Sequence, residues 1–148
     1  MTGDENVYLP TDPELRSILG EAETIAVVGL SSNPDRPSHD VAEFLRSSGY
    51  RIVPVNPNET EVLGQRAYPS LLDVPEDIRI DVVDVFRRAE LTPEIAEQAV
   101  ARGAKVLWLQ EGIVNDDARR IGEDGGLTVV MGACIKVQKQ RLERGSGV

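Results

Sequence analysis

The residues best suited to chemistry lie where apolar runs stop. Thr24-Ile25-Ala26-Val27-Val28 ends at Gly29-Leu30-Ser31-Ser32-Asn33, and Arg36-Pro37-Ser38 follow in the same segment. Glycine lets backbone N–H groups come close to a ligand, the serines and the asparagine add side-chain donors, and Arg36 adds a positive charge. Such a loop, opening into a helix, can hold a phosphate. The second and third glycines of the G-x-G-x-x-G spacing are absent. A second run, Tyr50-Arg51-Ile52-Val53-Pro54-Val55, stops at Asn56-Pro57, a place where dinucleotide enzymes carry an acid for the ribose hydroxyls. Both departures weigh against NAD, so an NAD-type oxidoreductase or redox sensor is the alternative reading.

Three further strand ends add candidates. Residues 80–85 lead into Phe86-Arg87, residues 105–109 into Gln110-Glu111-Gly112-Ile113, and residues 127–131 into Gly132-Ala133-Cys134-Ile135-Lys136. Cys134 reads either as a small buried hydrophobe or as a thiol on the ligand edge, with Lys136 as a nearby cation that favours its thiolate. Phe86 reads as a rim aromatic as readily as a clamp, and Asn56-Pro57 as a plain turn. His39, at a helix start beside the phosphate loop, reads as a surface imidazole before a general base. Asp73, Glu76 and Asp77 read as a solvated face. With a single histidine and a single cysteine, no zinc-type ligand set exists. No nucleophile, base and orienting group assemble in the sequence, so the expectation is a protein that is not an enzyme.

The elements that must position these residues alternate between apolar runs and helical patterns, the signature of βαβ units around a parallel sheet. Thr11 and Glu14 have capping-box spacing around Pro13, predicting a leading helix with Leu15, Ile18 and Leu19 inward. Ser38 is expected to cap a helix bearing Val41, Phe44 and Leu45 that ends at Gly49. Residues 59–75 read as loop with one short turn near Ser70-Leu71-Leu72. In the third strand Asp81 and Asp84 should mark its ends or an exposed face. Thr92-Pro93-Glu94 starts a helix closed by Gly103, with Thr92 as cap. Asn115 caps another, carrying Ala118 and Ile121. The expectation is a Rossmann-like three-layer α/β fold with a five-stranded parallel sheet, a single domain over residues 1–148 whose ends, 1–10 and 142–148, are frayed. Ligands would bind at the carboxyl ends of the strands, where the chain reverses direction across the sheet.

Composition narrows the partners. The chain of 148 residues has 25 acidic and 16 basic side chains and a formal charge of -9, which repels a polyanionic backbone, so nucleic acid is not expected. No run approaches the ~20 apolar residues that cross a bilayer, and the acidic start lacks a signal-peptide pattern. A cytoplasmic protein without a membrane partner is expected; its oligomeric state is left open, a homodimer being one option.

Taken together, the segments of residues 29–38, Val55-Asn56-Pro57, Val85-Phe86-Arg87 and Gln110-Glu111-Gly112-Ile113 resemble the small CoA-binding protein family, a stand-alone relative of the CoA-binding domain of the succinyl-CoA synthetase α subunit. The resemblance spans residues 24–136 with its motifs in order. It implies coenzyme A or an acyl-CoA as ligand, in a sensing or carrier role. It implies that Gly29, Leu30, Ser31, Ser32, Asn33, Arg36, Pro37 and Ser38 hold the pyrophosphate, and that Val55, Asn56 and Pro57 line the adenosine. Val85, Phe86 and Arg87 would flank adenine or the start of pantetheine, with Glu111 and Gly112 near the pantetheine arm. Relatives commonly carry a lysine after the proline of the second strand end, suited to the 3′-phosphate. This chain reads Asn58-Glu59-Thr60-Glu61 there, leaving Arg51, Arg66 or Arg87 as substitutes. The synthetase's phosphorylated histidine lies in a following domain, and His39 does not inherit its role.

Overall fold

The computed structural model describes residues 7–146. Helix α1 (Asp12–Glu21) starts as its sequence dictates: the Thr11 hydroxyl accepts from the Glu14 N–H at 3.3 Å while the Glu14 carboxylate accepts from the Thr11 N–H at 3.0 Å. Strand β1 (Thr24–Val28) is buried along its whole length. Helix α2 (Pro37–Ser47) and β2 (Arg51–Val55) follow. A small hairpin, β3 (Glu61–Val62) and β4 (Gln65–Arg66), then interrupts the stretch expected to be loop. Beyond a single 3-10 turn at Leu71–Asp73 come β5 (Val82–Val85), α3 (Thr92–Ala101), β6 (Val106–Leu109), α4 (Asp116–Asp124), β7 (Thr128–Val130) and α5 (Ile135–Ser146).

The five parallel strands lie in the order β2-β1-β5-β6-β7, so the chain runs outward from β1 in one direction and then, through β5, in the other. The switch point lies between β1 and β5, whose register pairs Val28 with Val85. Pro54 is tolerated in β2 because β2 is an edge strand. The outer side of β2 is met by Tyr68, whose N–H donates to the Pro54 carbonyl at 3.1 Å and whose carbonyl accepts from the Asn56 N–H at 2.8 Å. At the opposite edge Tyr8 pairs antiparallel with Met131. One sheet face packs Val27, Val82 and Trp108 against Leu15, Leu45 and Ile135 of α1, α2 and α5. The other packs Val83, Val85 and Leu107 against Ala96, Ala99 and Ala118 of α3 and α4. The arrangement is the expected Rossmann-like three-layer α/β fold.

Several local expectations change. Ser38 does not cap α2; it lies inside the first turn, 5% exposed, and its hydroxyl accepts from the Ser31 N–H at 3.0 Å. Thr92 is likewise inside its helix, where its hydroxyl donates to the Ala89 carbonyl at 2.6 Å, because a 3-10 turn at Ala89–Leu91 precedes α3. Asp81 marks the start of β5, as expected, but neither it nor Asp84 is exposed. Asp81 accepts from the Glu23 and Thr24 N–H groups at 2.9 and 3.0 Å, and Asp84 is fully buried. The ends are more ordered than expected where they are described: Tyr8 joins the sheet edge, and α5 runs past residue 142, with Leu142 buried. Residues 1–6 and 147–148 lie outside the described residues.

Candidate functional site

A cleft of about 790 Å³ opens over the carboxyl ends of β1, β2, β5 and β6. Its geometry begins with Gly29, which has φ +90° and donates its N–H to the Val55 carbonyl at 2.7 Å. A Cβ at this position would lie 2.5 Å from the Phe86 carbonyl oxygen and 3.0 Å from Arg87 Cδ. Only glycine allows the two strand ends at the switch point to meet this closely. Behind it, the Phe86 N–H donates to the Val28 carbonyl at 2.8 Å, so the β5 end is fastened to β1 up to the rim.

The loop after β1 is built from its own polar side chains. Ser31 donates its N–H to Ser38 and accepts from the Asn33 N–H at 3.0 Å, and Asn33 accepts from the Asp35 N–H at 2.9 Å. Ser32 donates both its N–H (2.8 Å) and its hydroxyl (3.0 Å) to Glu59 Oε2. The β2 turn is held in the same way: Asn56 donates its side-chain amide to the Leu30 carbonyl at 3.0 Å and accepts from the Asn58 N–H at 2.9 Å. Loop and turn are thereby tied to one another across the site.

Of the residues singled out from sequence, Gly29, Ser31, Arg36, Pro37, Ser38, Asn56, Phe86, Arg87, Glu111 and Cys134 line the cleft. Leu30, Val55 and Val85 are sealed in the core, at 0%, 2% and 0% exposure, so only their backbone atoms are available at the rim. Ser32, Asn33, Pro57 and Gly112 sit on the bordering segments without lining the cleft. Sequence reasoning left Val41, Asn58, Glu59, Arg88, Gln110 and Ile113 out of the site, yet all of them line it. Gln110 and Ile113 were within reach through the motif around Glu111. Glu59 stood out in the sequence only as one of the acids that follow Pro57, and its partner Ser32 is 27 residues away.

Charge in the cleft is divided. Arg36, Arg87 and Arg88 face Glu59 and Glu111 among its lining side chains. Arg51 and Arg66, the other two substitutes considered for a missing lysine, do not line it; Arg51 begins β2, at the opposite end of the strand, and Arg66 lies over the Tyr68 ring. Lys136 lies 2.9 Å from Asp40 and over the Phe44 ring, so its ammonium is engaged by α2 rather than free to serve Cys134. Asp40, itself exposed, thus joins α2 to α5. His39 is half-buried and does not line the cleft.

Beneath the cleft floor, the Gln110 amide donates to Asp84 Oδ1, and Asp84 Oδ2 has no hydrogen-bond partner among the described residues. Asp84 stands in register between Val27 and Trp108. Burial in these surroundings favours the protonated form of its carboxyl and pushes it up to about 8, against a smaller lowering by the Gln110 amide. Among the described residues no group of histidine, cysteine and carboxylate side chains could hold a metal ion.

A glycine at the switch point, a loop entering a helix and arginines around an open cleft define a Rossmann-like domain with its cleft at the carboxyl ends of the strands. The family model described as the CoA binding domain matches residues 23–140, and the chain belongs to this family. It is 45% identical over 128 residues to the uncharacterized protein YneT of Bacillus subtilis, covering 86% of this chain and 93% of that one. A hypothetical protein from Pyrococcus horikoshii superposes with a TM-score of 0.86 at 41% identity, covering 90% of this chain and 92% of its own. The ADP-forming acetate–CoA ligase II of Archaeoglobus fulgidus is 29% identical over 107 residues; the match covers 71% of this chain and only 16% of the ligase.

Proposed function

We propose that this protein binds coenzyme A or an acyl-CoA in the cleft, without catalysing a reaction on it, as a sensor or carrier. The observation that carries this reading is the contact of Gly29 with Phe86 at the switch point, which leaves an open cleft rimmed by Arg36, Arg87 and Arg88. Two of these arginines suffice to face a diphosphate, and bidentate guanidinium contacts suit its oxygens. Membership of the CoA binding domain family supports the choice of ligand. The cleft has a volume in the range of small-molecule sites, and the half-buried Cys134 on its wall supports an end where a ligand thiol or thioester would come to rest.

A non-catalytic role is supported by where His39 and Asp84 stand. The half-buried His39 stands outside the cleft, and the buried acid Asp84 lies beneath its floor. No helix among the described residues is long and apolar enough to cross a membrane. The proposal includes a small-molecule partner met in the cytoplasm. Native mass spectrometry of freshly purified protein tests the ligand directly, and thermal melts quantify it. CoA at one hundred times its dissociation constant adds about 2.7 kcal/mol, a rise of roughly 5–10 °C for a chain of this size. Stabilisation by NAD with none by CoA would overturn the reading.

A further inference from the structure

We infer that Glu59 makes the cleft select an adenine nucleotide with a free ribose 3′-hydroxyl over one with a 3′-phosphate, that is, dephospho-CoA over CoA. The inference rests on the proposal that the cleft takes a CoA-type ligand, and it assigns which form. In α/β nucleotide sites the ribose lies at the end of the second strand of the first βαβ unit, where a carboxylate accepts its hydroxyl protons. Here that edge carries Asn56, Asn58 and Glu59, two amides and one carboxylate, so the acid that Asn56-Pro57 lack is supplied by Glu59 in the same turn.

The position of Glu59 is built rather than incidental. Its N–H donates to the Asn56 carbonyl at 3.2 Å, and Asn56 is itself bonded to Leu30 and Asn58, so the turn is fastened to itself and to the β1 loop. The turn sets Glu59 Oε2 on the N–H and hydroxyl of Ser32, while Oε1 accepts no hydrogen bond among the described residues. A ribose hydroxyl can donate to this carboxylate without disturbing the loop.

A phosphate in the same place meets the opposite chemistry. It is an acceptor facing an acceptor, a dianion facing an anion, and it competes with Glu59 for the Ser32 N–H. The turn itself, residues 56–62, carries no Lys or Arg, and Arg66, paired with Glu61 across the β3–β4 hairpin, does not line the cleft. Arg36 opens α2, Arg87 and Arg88 follow β5, and Arg66 is stacked on Tyr68 outside the cleft. The arginines can therefore hold the diphosphate common to both ligands, while the third phosphate meets the Glu59 carboxylate.

The test is calorimetric titration of the intact protein with CoA and with dephospho-CoA, repeated for Glu59→Gln and Glu59→Lys, with the melting temperature of each empty variant as a folding control. The wild type is expected to bind dephospho-CoA about tenfold more tightly than CoA. Glu59→Gln should tighten CoA about tenfold while changing dephospho-CoA by less than about threefold, and Glu59→Lys should reverse the preference. CoA binding the wild type as tightly as dephospho-CoA, or Glu59→Gln moving both ligands equally, would overturn this inference and leave the CoA-type reading standing. Failure of both ligands to bind the folded wild type would overturn that reading and this inference with it.

Discussion

Replacing Asp84 with asparagine should make the protein more stable at alkaline pH and slightly less stable in acid. The folded state holds the Asp84 carboxyl at about 8, against an ordinary value of 3.8, because burial disfavours its charge. Between those two values the folded chain keeps a proton that the unfolded chain has released. Stability attached to this group is therefore complete below about pH 4, declines as pH rises, and levels off above about pH 8, with a slope approaching ~1.4 kcal/mol per pH unit. The introduced asparagine would still offer a carbonyl oxygen to the Gln110 amide, the bond that Asp84 Oδ1 now accepts, and it cannot ionise. Its amide brings two N–H donors where the protonated acid has one O–H, beside an oxygen already lacking a partner, which costs about 1 kcal/mol in acid. Urea denaturation of both proteins from about pH 4.5 to 9 isolates the effect, since the remaining titrating groups cancel in the difference. A stability gap between variant and wild type that stays constant across this range would refute the reasoning.

Other substitutions test the rim and its supports. Gly29→Ala should destabilise the protein by several kcal/mol and abolish nucleotide binding, because its Cβ would lie 2.5 Å from the Phe86 carbonyl at a φ of +90°; denaturant midpoints and ligand titration check both effects. Arg36→Ala, at an exposed loop position, should weaken CoA-type ligands about 10- to 100-fold, the equivalent of ~1.5–3 kcal/mol, with an unchanged melting temperature of the empty protein. Arg102 donates to the Leu71, Val74, Pro75 and Ile78 carbonyls at 2.6–3.2 Å; Arg102→Ala should cost roughly 2–4 kcal/mol and raise amide exchange in residues 71–78 first. Cys134 should exchange with CoA disulfide, its thiolate displacing one CoA thiol to leave a mixed disulfide. Intact mass with and without reductant, with Cys134→Ser as control, reads the adduct, and an adduct found only after denaturation would return Cys134 to a packing role.

Much of the frame is local and could be read from residue order. The Thr11 and Glu14 capping box, the Asn115 cap on α4 and the strand β1 ending at Gly29 all appear where their patterns place them, because a cap or a strand end is decided within about four residues. Tertiary structure decided what depends on distant partners. Strands buried on both faces lose the alternation that reveals which way a side chain points, so Asp84 read as a strand marker when it is a buried acid in register with Trp108. Ser38 read as a cap because serine caps helices, but the Ser31 N–H draws its hydroxyl back toward the loop. The strand order, which sets the switch point between β1 and β5, follows from how the crossovers pack and leaves no mark on any one segment. Glu59 could be read as an acid near the position where relatives carry a lysine, but that it lines the cleft was decided by folding, which brings the β2 turn onto the β1 loop.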